Sequence, residues 1–67
     1  MTNQDDRDRA DRAIALMREA GLDPALGVSV SIVVQTLRYW AEGQLNDVEF
    51  MRAMRNLAII NPALALS

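Results

Sequence analysis

Between Ser29 and Glu42 the chain is apolar around too much of its girth for an ordinary surface helix. Read as a helix, this segment places Ser31, Gln35, Arg38 and Glu42 on one narrow strip. Val30, Ile32, Val33, Val34, Leu37, Tyr39, Trp40 and Ala41 fill the rest. The apolar arc exceeds half the circle, whereas a helix lying on a single core needs only about 100°. Such a helix must be covered on more than one side. A chain of 67 residues has little to cover it with, since domains of this size bury only about 60% of their unfolded surface. A second copy of the chain is therefore expected to cover what its own neighbours leave bare.

A strand reading competes over the first residues of this segment. Val28-Ser29-Val30-Ser31-Ile32 alternates apolar and polar, as a half-buried strand does. Val30, Val33, Val34, Leu37, Trp40 and Ala41 recur at helical spacing over a longer window, and length favours the helix. Ser29 is then the expected N-cap of a helix over about 29–42.

Two further helices flank it. The first spans about 3–20, beginning at Thr2 or Asn3. Asp5, Asp6 and Asp8 crowd its first turns, where the helix dipole favours negative charge. Asp5 with Arg9 and Asp8 with Arg12 form acid-then-base pairs four residues apart. Its apolar stripe is Ala10, Ala13, Ile14, Met17 and Ala20. Gly21 fits the left-handed position that closes a helix. In the connection that follows, Asp23 can cap and Pro24 suits a first helical position, while Gly27 argues against one helix running through. The last helix spans about 47–60. Asn46 and Glu49 have the spacing of a capping box, and Leu45 and Phe50 that of a hydrophobic staple. Its stripe is Phe50, Met51, Met54, Leu57 and Ala58, and Asn61-Pro62 stops it. The tail, 61–67, either frays or docks as a short helical turn. The expected fold is all-α. It is one domain over 1–67, with three helices, the last two forming an antiparallel hairpin across the short break at Gly43–Asn46.

Composition narrows the chemistry. The chain has no cysteine, histidine or lysine; all seven basic residues are arginine. Thiolate and zinc-finger sites, a histidine base, a Walker-type lysine and a Schiff-base lysine are thereby excluded. Ser29, Ser31 and Thr36 have no histidine or lysine to activate them, and Glu42 and Glu49 are explained by solvation and capping. Catalysis, cofactors and metals are not expected. The net charge is −2, and the arginines of the first helix are matched by acids along the same helix. Nucleic acid is therefore not an expected partner, although a small dimeric DNA-binding regulator and a structural assembly subunit remain alternatives. No apolar run approaches the roughly 20 residues that span a bilayer. The polar, acidic start is unlike a secretory signal, so the expected location is cytoplasmic.

The run from Leu37 to Leu57 resembles the short C-terminal helical-hairpin (SHOCT) domains of bacterial proteins. Gly43, Leu45, Asn46, Glu49, Phe50, Arg52 and Leu57 carry the likeness, over about a third of the chain. It implies an oligomerisation or interaction hairpin without catalysis. The whole chain resembles the small, arginine- and alanine-rich, lysine-free helical proteins with which phages of GC-rich hosts inhibit host factors. Anti-activators of quorum-sensing regulators are one such type. This likeness implies a partner that is a host protein, such as a transcriptional regulator.

The function expected from these features is a non-catalytic, homodimeric interaction module that binds and blocks a host regulatory protein. On the helical wheel Tyr39 falls with Ile32 and Thr36, and these three residues are the expected dimer contact, set against themselves by a twofold axis. Tyrosine is also enriched at interface hot spots. Arg18, Arg38, Arg52 and Arg55, which can form bidentate pairs with carboxylates, are the expected partner-binding residues, together with the adaptable Met51.

Overall fold

The computed structural model describes residues 4–67. It contains four helices, α1 (Gln4–Ala20), α2 (Pro24–Gly27), α3 (Ser31–Ala41) and α4 (Asp47–Ile60), followed by a 3-10 turn over Pro62–Leu64. The expected start of the first helix, at Thr2 or Asn3, lies outside the described residues. The all-α class stands, with four helices in place of three.

The added element, α2, is built by the connection itself. The Asp23 carboxylate accepts from the Ala25 backbone N–H at 3.0 Å, and Pro24 occupies the first turn. Gly27, the last residue of this helix, packs closely against the core. A Cβ there would lie 2.7 Å from Leu22 Cδ2 and 3.1 Å from Met17 Cε. A larger residue there would have to push those two buried side chains aside.

The presence of α2 also delays the next helix. The backbone N–H groups of Ser29 and Val30 donate to Leu26 and Gly27 carbonyls, at 3.2 and 2.9 Å, and so wind up the end of α2. Ser29 is thus not the N-cap of α3. Val30 is, and it makes no side-chain capping bond. The strand alternative over Val28–Ile32 does not form, because the same residues are committed first to this turn and then to α3.

Helix α4 keeps the bounds read from its caps. Asn46 Oδ1 accepts from Glu49 N–H at 2.8 Å, and Glu49 Oε1 accepts from Asn46 N–H at 2.9 Å, completing the capping box. Gly21 and Gly43 both take positive φ, 95° and 84°, where a side chain would be strained.

Helix α4 packs against both α1 and α3, and the core gathers on it. Met17, Leu22, Val33, Phe50 and Met54 are essentially inaccessible to solvent, and Ala20, Ala58 and Leu64 complete the cluster. Fully burying a side chain of the larger kind contributes about 1.5–3 kcal/mol. The tail docks as a turn. Leu64 enters the core, Asp23 N–H donates to the Leu64 carbonyl at 2.7 Å, and Leu66 N–H donates to the Gly21 carbonyl at 2.9 Å. A single antiparallel bridge, Leu22 to Ala65, results. The buried Leu64 explains why the tail stays: it is an apolar anchor next to two backbone bonds.

Candidate interaction surface

The apolar excess of α3 is visible in its exposure. Ser31, Gln35 and Arg38 of α3 and Glu42 at its C-cap all face solvent, as the strip requires. Its buried side is narrow. Val33 and Thr36 are buried, and Leu37 and Trp40 pack partly against the core. Ile32, Val34 and Tyr39 are left exposed.

Between α1 and α3 runs an apolar groove of about 340 Å³. Helix α1 contributes Ala10, Ala13, Ile14 and Met17; α3 contributes Leu37 and Trp40, with Ala41 at its end. Val28 lies at one end, and Asp6 and Arg9 lie towards the start of α1. The groove exists because the stripe of α1 is wider than the face α4 covers. Ala13, Met17 and Ala20 are buried, while Ala10 and Ile14 remain in the open.

One polar constellation spans the three long helices. The Trp40 indole N–H donates to Asp47 Oδ1 at 2.9 Å, and the Arg12 guanidinium donates to Asp47 Oδ2. Arg12 of α1 thus pairs with the first residue of α4 in place of Asp8 on its own helix. The Arg12 hydrogen bond, then that of Trp40, lowers the Asp47 carboxyl below its usual range. Trp40 meanwhile lies with its ring centroid 5.2 Å from that of Phe50, in a tilted arrangement. Asp47 therefore fixes the tryptophan that forms one wall of the groove.

A second hollow, of about 430 Å³, opens beside the start of α3. Val28, Val30 and Val34 line it together with Ser29, Ser31, Gln35 and Arg38. Gln35 Nε2 donates to the Tyr39 hydroxyl at 3.1 Å along this exposed edge. At the far end of α4, Ile59 and Ile60 are 68% and 78% exposed.

The residues singled out from sequence are placed unevenly. Ile32 and Tyr39 are exposed, at 48% and 40%. Thr36 is 8% exposed, with its hydroxyl donating to the Ile32 carbonyl at 2.7 Å. The three therefore do not make one open patch. At about 100° per residue Thr36 lies some 40° from Ile32 towards Val33 and Trp40, which is the side turned to the core. Arg18, Arg38, Arg52 and Arg55 are all exposed. Met51 is half-buried and packs against the core. Of these residues only Arg38 lines either hollow. The α1 wall of the groove was not singled out from sequence, although the stripe containing Ala10 and Ile14 marks it.

Among the described residues no three metal-ligating side chains gather, and no described helix is long and apolar enough to cross a membrane. No family model, no curated protein and no solved structure matches this chain.

Proposed function

We propose that this chain is a non-catalytic protein–protein interaction module that works as a small homodimer and blocks a regulatory protein by covering its surface. The observation that carries this reading is the α1–α3 groove, an apolar cleft walled by Trp40, Leu37 and Ile14. Apolar clefts between helices are ordinary seats for a helix of another chain. In this reading α3 and α4 act as an antiparallel hairpin that holds the working surface out from the core. The hollow beside α3, with its valines and Arg38, adds apolar area next to a fixed positive charge. Arg18, Arg52 and Arg55 are exposed and available to orient a partner that carries carboxylates. Inhibition by such a module is steric and requires no chemistry. The resemblance to small phage inhibitors supports a host transcriptional regulator as the target, met in the cytoplasm.

The reading is tested by affinity capture from extracts of the native host, with the wild-type chain and an Arg38→Glu variant as paired baits. The wild type is expected to retain one regulatory protein in stoichiometric amount, and the variant to lose most of it while keeping its helix content. Recovery of bulk nucleic acid in its place, lost as salt rises, contradicts the reading, as does a bait that retains nothing.

A further inference from the structure

We infer that the outward face of α4 docks an acidic, amphipathic helix of the partner protein. The inference rests on the proposed blocking function and names the chemistry of the segment that is blocked.

Helical geometry sets the face. At about 100° per residue, Val48, Arg52, Arg55 and Ile59 fall within an arc of about 60°. That arc is turned away from the buried stripe of Phe50, Met54 and Ala58. All four side chains are exposed, Val48 at 63% and Ile59 at 68%. The stripe runs about 16 Å along the axis, or about three turns. Its ends are aliphatic, and its middle is two arginines one turn apart.

Charge selects the occupant. Among the described residues the one ion pair joins Arg12 to Asp47, so Arg52 and Arg55 are without a carboxylate. The two acids of α4 are committed elsewhere: Asp47 to Arg12 and Trp40, and Glu49 to the backbone N–H of Asn46. The stripe is therefore of one sign, in a chain whose net charge is −2. Set against itself by a twofold axis it would repel its copy, and it repels a basic partner for the same reason. Each guanidinium can hold a carboxylate through two parallel bonds. Carboxylates one turn apart on a facing helix match the two arginines in spacing.

Spacing makes that occupant a helix. Val48, Arg52, Arg55 and Ile59 are separated by four, three and four residues, the alternation along which two helices pack their seams. In such a seam the aliphatic ends supply apolar contact, and the charged centre chooses the partner. Duplex DNA fits less well. Two arginines are few beside the about 6–10 phosphate contacts of a strongly salt-dependent DNA binder, and a phosphate backbone gives Val48 and Ile59 nothing to pack on.

Fluorescence anisotropy with two labelled synthetic peptides, titrated with the full chain, tests this. The probe is an amphipathic helix with two glutamates one turn apart and leucines a turn to either side; its twin carries lysines in place of the glutamates. The wild type is expected to bind the glutamate probe at least about tenfold more tightly than the lysine twin. Arg52→Glu combined with Arg55→Glu should invert that preference, with helix content unchanged. Should the reversal unfold the chain, Arg52→Gln with Arg55→Gln decides, since it only removes the charges and should abolish the discrimination. Ile59→Ser should weaken the glutamate probe while leaving stability unchanged. A wild type that binds neither peptide overturns the inference. So does binding that the glutamine pair leaves unaltered, or a wild type that retains duplex DNA or anionic vesicles and ignores the glutamate probe. Capture of the regulatory protein, repeated with the glutamine pair as bait, separates the two readings. Capture lost with Arg38→Glu but kept with the glutamine pair leaves the blocking function standing and overturns the inference.

Discussion

Helices α3 and α4 are joined by one short turn and are both largely apolar, yet they are used differently. The stripe of α4 is covered throughout: Phe50, Met54 and Ala58 are buried, and Met51 and Leu57 pack against them. Helix α3 is covered over a narrow arc only, and its remaining apolar residues face outward. The difference follows from position. Helix α4 has α1 on one side and α3 on the other, whereas α3 has α4 alone as a long neighbour. The core gathers on α4, whose exposed apolar residues, Val48, Ile59 and Ile60, lie off its buried stripe, whereas α3 has most of its girth uncovered.

The contrast makes substitutions in the two helices unequal. The largest effect is expected at Phe50→Ala, which empties a fully enclosed site between α4 and Trp40. It should cost about 3–5 kcal/mol, enough to unfold much of the population of so small a domain in a denaturant titration followed by circular dichroism. Next is Asn46→Ala, which removes the side-chain bond of the capping box, from Glu49 N–H to Asn46 Oδ1. A loss of about 1 kcal/mol is expected, read as a fall in Tm of about 4–8 °C.

Acid is the third lever. The Asp47 carboxyl is held low by Arg12 and then by Trp40. A depressed carboxyl contributes stability that is fully present above its unfolded value, near pH 4, and is lost as pH falls through the folded value. Thermal stability of the wild type should therefore drop more steeply on acidification below about pH 4 than that of Asp47→Asn. Parallel curves for the two proteins would mean that the link between α1, α3 and α4 contributes nothing. The smallest effect belongs to Ile32→Ser, on the open side of α3. Its stability should stay within about 0.5 kcal/mol of the wild type. A large loss there would erase the distinction between the two helices.

Legibility from sequence follows the same division. Helix α4 could be bounded at both ends because its signals are local: Asn46 and Glu49 bond each other, and Pro62 forbids continuation. The start of α3 could not. Ser29 has the chemistry of a cap, but its backbone is already spent in closing α2, a commitment set by how Gly27 packs on Leu22 and Met17. Thr36 was misplaced for a related reason. Helical periodicity fixes the angle between Ile32, Thr36 and Tyr39, but only packing against α4 decides where the covered arc ends, and it ends just past Thr36. The apolar excess itself was legible, since it depends on counting side chains around a circle. Its concentration into a groove was not, because that needs the relative placement of α1 and α3. The docking of Leu64 likewise depends on a distant partner, the segment Gly21–Asp23.

Amide hydrogen exchange measured across a range of protein concentrations addresses the central claim, that one side of this fold is complete and the other is finished by a second chain. Protection in α4 should be high and independent of concentration. Protection of Ala10–Ile14 and Leu37–Ala41 should rise as the protein is concentrated, in step with dimer formation. Equal protection in both regions at every concentration, from a chain that remains monomeric, would contradict it.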